Sequence, residues 1–187
     1  MTALKQQITA LRVHGIHGDF IPEKLLQDLI SKSTILEELR RNDYAPEILS
    51  ESSEEIAKYG QKMFAILVET GNVKYVAEFL SGNLLDGKLP LQERDLEYIG
   101  DTSFVVMFLK FQWDYLAPLW RGGSSSHKIL ATRTILPFIQ EEFLSEGSFG
   151  KTFIVTFKAT HQGFVQCPGG DVRRSAMPTR HGFNIKG

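Results

Sequence analysis

The sequence is most informative at Leu144-Ser-Glu-Gly147-Ser-Phe149-Gly150-Lys-Thr152-Phe-Ile-Val155. Gly147 and Gly150 enclose two residues, and glycine allows the dihedral angles that a tight turn between strands requires. After the second glycine, side chains of different character alternate, as they do on the two faces of a strand. One face carries Thr152, Ile154 and Thr156, and the other carries Phe153, Val155 and Phe157. The stretch therefore predicts a β-hairpin that turns at its glycines.

Apolar residues at helical spacing dominate the chain from its start to about residue 100. Pro22 suits the first turn of a helix, and the apolar residues that follow it fall on one stripe. A second series precedes Gly71, where a helix can end. The positions of the two series are Leu25, Leu26, Leu29 and Ile30, and Ile56, Tyr59, Met63, Phe64, Ile66 and Leu67. These patterns predict successive helices joined by short loops.

Polar residues three apart mark where these helices begin. Two pairs have the composition of capping boxes, namely Thr34 with Glu37 and Ser52 with Glu55. They predict helix starts at about Ile35 and Ile56. Shorter helices are expected over 73–80, ending at Ser81-Gly82, and over 91–99.

Beyond Asp101 the pattern becomes aromatic and irregular, without a clear helical or strand period. The segment Arg121-Gly-Gly-Ser-Ser-Ser-His127 has the composition of a flexible linker. From about Val165 the chain is rich in glycine, proline and arginine and lacks periodicity, so we expect a disordered tail.

Charge and composition argue against several classes of partner. The chain has 187 residues, 21 basic against 22 acidic, and a net charge of −1, so nucleic acid or an anionic membrane would find no strong positive field. The start of the chain lacks the pattern of a secretory signal, and no apolar run reaches the roughly 20 residues of a membrane span. The single cysteine, Cys167, suits a reducing compartment. We expect an intracellular protein, cytoplasmic or nuclear, without membrane or nucleic-acid partners.

The glycine stretch resembles the nucleotide-covering loop of protein kinases, LGxGxFGxVxxV, with the glycines and Phe149 in register. A second resemblance lies upstream, at Phe111-Gln-Trp113, Leu116-Ala-Pro118, His127-Lys128 and Ile135-Leu-Pro-Phe138. These segments look like the stretch that precedes the kinase domain in a group of fungal protein-kinase-domain proteins. The resemblance spans most of residues 1–161.

The resemblance implies a nucleotide site on the hairpin. In a complete kinase this hairpin opens the N-lobe, binds ATP with Mg²⁺, and serves phosphate transfer to Ser or Thr. By resemblance, the ATP-binding residues are Leu144, Ser145, Glu146, Gly147, Ser148, Phe149, Gly150 and Thr152.

The sequence departs from the family pattern where catalysis would be carried. Ser145 replaces the first glycine, and Thr152 replaces the branched apolar residue that contacts adenine. Lys158 lies on the second strand and Lys186 lies 36 residues past Gly150, so neither is the VAIK-type lysine. The HRD and DFG aspartates do not follow. We therefore assign no catalytic and no metal-binding residue to this chain, and expect it alone to be inactive and to bind no cofactor tightly.

The predicted architecture is mainly α, a helical domain followed by a β-hairpin that resembles the start of a kinase N-lobe. We divide the chain into a helical region (1–120), a Gly/Ser-rich linker (121–134), a partial N-lobe (135–164) and a disordered tail (165–187). On this interpretation the chain is a kinase-like protein truncated after its glycine-rich loop. The alternative is a non-catalytic helical interaction module, whose protein partner the sequence does not name.

Two further expectations concern the first glycine pair and the hairpin. His14 and His17 lie beside Gly15 and Gly18, which suggests a loop without a metal site. In the hairpin, the edge of the second strand and the face carrying Phe153, Val155 and Phe157 would lack partners. We therefore expect self-association through the hairpin, relieved by Val155→Lys, unless the upstream aromatic segment around Phe108, Trp113 and Trp120 covers that face.

Overall fold

The first part of the chain is helical and is followed by a small antiparallel sheet. The computed structural model describes residues 2–119, 130–147, 150–157 and 174–178. The helices are α1 (Ala3–Ala10), α2 (Glu23–Leu29), α3 (Lys32–Arg41), α4 (Pro46–Tyr59), α5 (Gln61–Thr70), α6 (Val76–Ser81), α7 (Glu93–Leu96) and α8 (Thr102–Phe111). The strands are β1 (Val13–Gly15), β2 (Gly18–Phe20), β3 (Phe138–Gly147), β4 (Gly150–Phe157) and β5 (Arg174–Pro178). The prediction of a mainly helical chain with a later hairpin is confirmed at this level.

Helix α5 lies at the centre of the helical core. Its residues Met63 to Val68 are all buried, as expected for a helix that is apolar on every side. An aromatic group formed by Phe79, Phe104 and Phe108 extends this core, with ring centroids 4.9 to 6.1 Å apart. Burial of these large side chains is the main term that stabilises the helical region.

Both predicted capping boxes are wrong in their placement. Helix α3 begins earlier, because Ser31 is the N-cap and Thr34 is its partner in the box. Helix α4 begins at Pro46, so Ser52 lies inside it and is buried. Proline at the first helical position needs no amide hydrogen bond, which accounts for the earlier start. The predicted ends at Gly71 and Gly82 are confirmed.

The region after Asp101 is also more regular than predicted. Helix α8 starts at the N-cap Asp101, whose carboxylate accepts hydrogen bonds from Phe104 N (3.0 Å) and from the Tyr75 hydroxyl (2.8 Å). Phe104 and Phe108 are four residues apart and share the buried face of the helix. The prediction of an irregular segment after Asp101 is therefore wrong for residues 102–111, whose aromatic residues have helical spacing.

The strands form two sheets whose hairpins close in the same way. β1 pairs with β2 and β3 pairs with β4, both antiparallel, with Gly15 opposite Gly18 and Gly147 opposite Gly150. Each hairpin thus closes between glycines three residues apart. The first hairpin replaces the loop predicted at His14 and His17.

A third strand, β5, pairs with β4 to give the order β3-β4-β5. It lies within the tail that we predicted to be disordered. The other residues of that tail, 165–173 and 179–187, lie outside the described ranges. The predicted open edge of the second strand is therefore wrong, because Ile154 pairs with Ala176 there.

The phenylalanine face of the hairpin is covered rather than open. Val155 is 3% exposed and Phe157 is 0% exposed, in a cluster with Phe138 and the partly buried Leu136 and Phe153. Both premises of the predicted self-association through the hairpin, an open edge and an open face, are corrected by this arrangement. Residues 121–129 of the predicted linker lie outside the described residues, as does Trp120 of the aromatic segment.

Candidate functional site

The predicted nucleotide site lies at the tip of the β3–β4 hairpin. Ser145 lies opposite Thr152, Glu146 opposite Lys151, and Gly147 opposite Gly150. The register shifts between Phe143 and Ser145, so Leu144 sits at a bulge-like irregularity. The structure thus brings these predicted residues together in one short stretch of ladder, while Ser148 and Phe149 lie outside the described residues.

The hairpin is exposed near its tip. Phe143 and Leu144 are 55% and 51% exposed, although the Phe143 ring lies edge-on to that of Phe153 at 5.8 Å. Ser145 and Glu146 are exposed as well. Residues 143–146, on the β3 side of the tip, are therefore accessible to a ligand.

Charge at the tip does not favour a triphosphate. The two charged residues of the 144–152 stretch, Glu146 and Lys151, are cross-strand neighbours of opposite sign. Their charges largely cancel, so the stretch offers no net positive field to a phosphate group. The described residues at the tip therefore do not by themselves fit Mg-ATP, and backbone amides are the groups that remain for recognising an anion.

The two faces of β4 differ less than the resemblance implies. The face expected to lie over a nucleotide carries Ile154, which is partly buried, and Thr156, which is buried. The opposite face is buried at Val155 and Phe157. Both faces are thus covered at the end of β4 away from the tip, and accessible surface is concentrated toward the glycines.

A contact that sequence reasoning missed joins the β1–β2 turn to the start of β3. Ile16 N–H donates to the carbonyl of Phe138 at 2.9 Å, and His17 Nε2 lies 3.4 Å from Glu141 Oε2. The His17 ring also meets the Phe138 ring edge-on, with centroids 5.6 Å apart. We call this contact, between residues 15–18 and 138–141, the joint. The signal in the sequence was the pair Gly15 and Gly18, whose spacing matches that of the later hairpin.

A partly buried charged network holds the base of the β1–β2 hairpin. The Arg12 guanidinium lies 2.5 Å from both Glu69 and Asp114, and the Tyr115 hydroxyl donates to Glu69 Oε2 at 2.5 Å. Asp114 also accepts, through its backbone carbonyl, a hydrogen bond from Ile21 N–H at 2.7 Å. The residues that flank the two strands at the base of the hairpin, Arg12 and Ile21, therefore both bind one residue, Asp114.

The network shifts the pKa values of Arg12, Asp114 and Tyr115. Burial raises the pKa of Asp114, and the hydrogen bond from Arg12 opposes this rise. Burial, followed by the charge of Glu69, raises the pKa of Tyr115 well above its usual value. Burial alone would lower the pKa of Arg12, but its hydrogen bonds to Asp114 and Glu69 outweigh burial and raise it. A permanently charged arginine therefore lies between two carboxylates.

Among the described residues, no group of three or more His, Cys, Asp or Glu side chains is placed to hold a metal ion. No helix in the described ranges is long and apolar enough to cross a membrane. Comparisons of the chain with protein-family models, curated proteins and solved structures find no match.

Proposed function

We propose that residues 138–157 are the opening hairpin of a protein-kinase-like nucleotide-binding lobe. The register of that hairpin carries the proposal, because Gly147 and Gly150 lie opposite each other where the sequence resembles the kinase loop. A turn of this kind can bring backbone N–H groups against phosphate oxygens without interference from a Cβ. The complete form would bind ATP with Mg²⁺ and transfer phosphate to Ser or Thr.

The third strand supports the same proposal. In a complete kinase N-lobe the second strand pairs with a third, and here β5 pairs with β4 in antiparallel register. The sequence of β5, Arg174-Ser-Ala-Met-Pro178, contains no lysine. The sheet order is thus consistent with the resemblance, and the lysine that would hold the phosphates is missing from β5.

This chain by itself should be catalytically inactive. Phosphoryl transfer needs positioned metal ligands and a residue that orients the nucleophile. The kinase motifs that supply these groups, HRD and DFG, do not occur in this sequence. The helical region would then serve the complete protein as a partner of the lobe.

A titration with Mg-ATP tests the expectation for this chain. The amide resonances of Gly147 and Gly150 should show no saturable shift below millimolar nucleotide, because adenine and phosphates lack most of their contacts. A dissociation constant in the low micromolar range would contradict the view that further parts of a lobe are needed.

The genomic sequence downstream tests the kinase proposal itself. An in-frame series of VAIK, HRD and DFG motifs is expected, and a protein that includes them should bind Mg-ATP. In that protein Gly150→Val should weaken ATP binding, whereas Gly87→Val, at a glycine with nothing within 4 Å of its Cβ position, should leave it unchanged. Absence of the motifs, or equal binding by both variants, would overturn the proposal.

The second candidate is a non-catalytic helical interaction module. A surface groove between α3 and α4 favours it, with Leu36, Tyr44 and Leu49 on its apolar side and Arg40 and Asp43 contributing charge. An apolar groove is one of the surfaces to which a helical segment of a partner protein can bind. A downstream sequence without kinase motifs would favour this candidate over the first.

A further inference from the structure

We infer that the joint between the β1–β2 turn and β3 couples the helical region to the β3–β4 ladder, so that the helical region sets how well ordered this ladder is up to Gly147 and Gly150. This inference deepens the proposed function, because its meaning for nucleotide access rests on that proposal. The coupling itself is a property of the fold and can be measured without nucleotide.

The β1–β2 hairpin is held at both ends. At its base, Arg12 and Ile21 both bind Asp114, through the side chain and the backbone respectively. At its turn, Ile16 donates to the Phe138 carbonyl. A short two-stranded hairpin is marginally stable alone, so these contacts give it the rigidity to connect the two parts.

Close packing at the joint leaves little room for adjustment. A Cβ on Gly15 would lie 2.9 Å from the Phe138 carbonyl oxygen and 3.0 Å from that of Gly18. Both obstacles are backbone atoms, which cannot rotate away as a side chain can. Gly18, with φ of +127°, packs on Ile135, so the second glycine of the turn also faces the segment that leads into β3.

Phe138 links the joint to the larger sheet. Its carbonyl accepts the bond from Ile16, and its ring packs perpendicular to that of Phe157, with centroids 5.0 Å apart. β3 then runs from Phe138 to Gly147, which is roughly 30 Å at the usual rise per residue. Because a strand shifted by one residue exchanges its two faces, an anchor at Phe138 favours one register at the start of the β3–β4 ladder.

The β3–β4 ladder contains two irregularities between the joint and the glycine turn. The β3–β4 register shifts twice, between Phe138 and Gln140 and between Phe143 and Ser145. A strand with such shifts has alternative pairings within reach, and an anchor at its first residue selects one of them. The joint provides that anchor beside the first irregularity.

Hydrogen exchange of the full chain without nucleotide tests the inference. Gly15→Ala should accelerate exchange of the amides in 140–147 and 151–157 by about fivefold or more, as expected when a hydrogen bond and its packing are lost. Amides of α5 should change by less than about twofold. The matched control, Gly87→Ala, has open space around the added Cβ and should change neither set.

A second, milder pair of variants decides the matter if Gly15→Ala disrupts the whole fold. His17→Ala removes the contacts with Glu141 and Phe138, whereas His14→Ala removes a contact with Asp19 inside the β1–β2 hairpin. Faster exchange in β3 and β4 with His17→Ala alone would support the coupling. Unchanged exchange in β3 and β4, or equal acceleration in α5, would overturn it, whatever the outcome of the Mg-ATP titration.

Discussion

The hydroxyl of Tyr115 donates to the carboxylate of Glu69 at 2.5 Å, across 46 residues of sequence. Tyr115 is only 2% exposed, and Glu69 also binds Arg12. The two residues belong to the 3₁₀ turn after α8 and to the central helix α5. This pair therefore fixes the end of the helical region on its core, next to the base of the β1–β2 hairpin.

Tyr115 should make the chain sensitive to alkaline pH. Its pKa is raised well above the usual value in the folded chain, mainly by burial, while the unfolded chain loses this proton near pH 10. Above that pH the unfolded state binds fewer protons, so the free energy of unfolding falls as pH rises. Urea denaturation between pH 8 and pH 11 should show this fall, and Tyr115→Phe should reduce its slope.

The matched control for that experiment is Tyr59→Phe, because Tyr59 is 53% exposed. It should leave the slope unchanged. Tyr44 and Tyr98, whose pKa values are also raised by burial, will maintain part of the slope in every variant. Equal slopes for the wild type and Tyr115→Phe would show that the phenol of Tyr115 ionises normally in the folded chain.

Replacing Arg12 should lower the free energy of unfolding substantially. Arg12→Met preserves much of the side-chain volume but leaves Glu69 and Asp114 without their cationic partner. The expected loss is about 3 kcal/mol in the free energy of unfolding, as for other broken buried ion pairs. The loss should be smaller near pH 4 than at pH 7, since protonation of Asp114, whose pKa is already raised, relieves the repulsion.

Arg94→Met is the control for the arginine experiment. Arg94 is 74% exposed, and its nitrogen lies 3.8 Å from Asp95, so its replacement should change stability by less than about 0.5 kcal/mol. Comparable losses for the two variants in urea denaturation would mean that the Arg12 network contributes no more than a surface pair.

Gly71 should contribute to the stability of the folded chain through its backbone conformation alone. Gly71 ends α5 with φ of +74°, and nothing lies within 4 Å of its Cβ position. Gly71→Ala should thus lower the free energy of unfolding by about 1 kcal/mol through its dihedral angles and not through a clash. Gly87→Ala, which also meets open space but lacks a positive φ, should be near neutral. Thermal denaturation of both variants checks the difference, and equal midpoints would contradict it.

Local patterns in the sequence predicted those structural features that depend only on residues close in sequence. The hairpin at Gly147 and Gly150 follows from strand alternation, and the helix end at Gly71 follows from the permissive backbone of glycine. Helix α8 could also have been predicted, because Phe104 and Phe108 have helical spacing. The prediction missed this spacing because the segment was interpreted from its aromatic composition.

Long-range contacts explain what the sequence did not predict. The joint depends on a bond between Ile16 and Phe138, and the Arg12 network on partners as distant as Asp114. Neither pairing leaves a periodic signal, since each partner is set by how the helices pack. The candidate nucleotide site was predicted as a local hairpin, but the pairing of its second strand with β5 was not, because β5 lies beyond the hairpin in sequence.

The covered face of the hairpin reverses our expectation for Val155. A lysine there was expected to improve solubility, on the premise that the face was open. Because Val155 is 3% exposed beside Phe138 and Phe157, Val155→Lys instead places a charge in an apolar cluster and should destabilise the sheet by about 2 kcal/mol or more. The control, Val106→Lys, changes a residue that is 61% exposed on α8 and should be nearly neutral. Hydrogen exchange in β3 and β4 measures the stability of the sheet, and light scattering measures association. If Val155→Lys left exchange unchanged and reduced association, the original expectation of an open hairpin face would be supported instead.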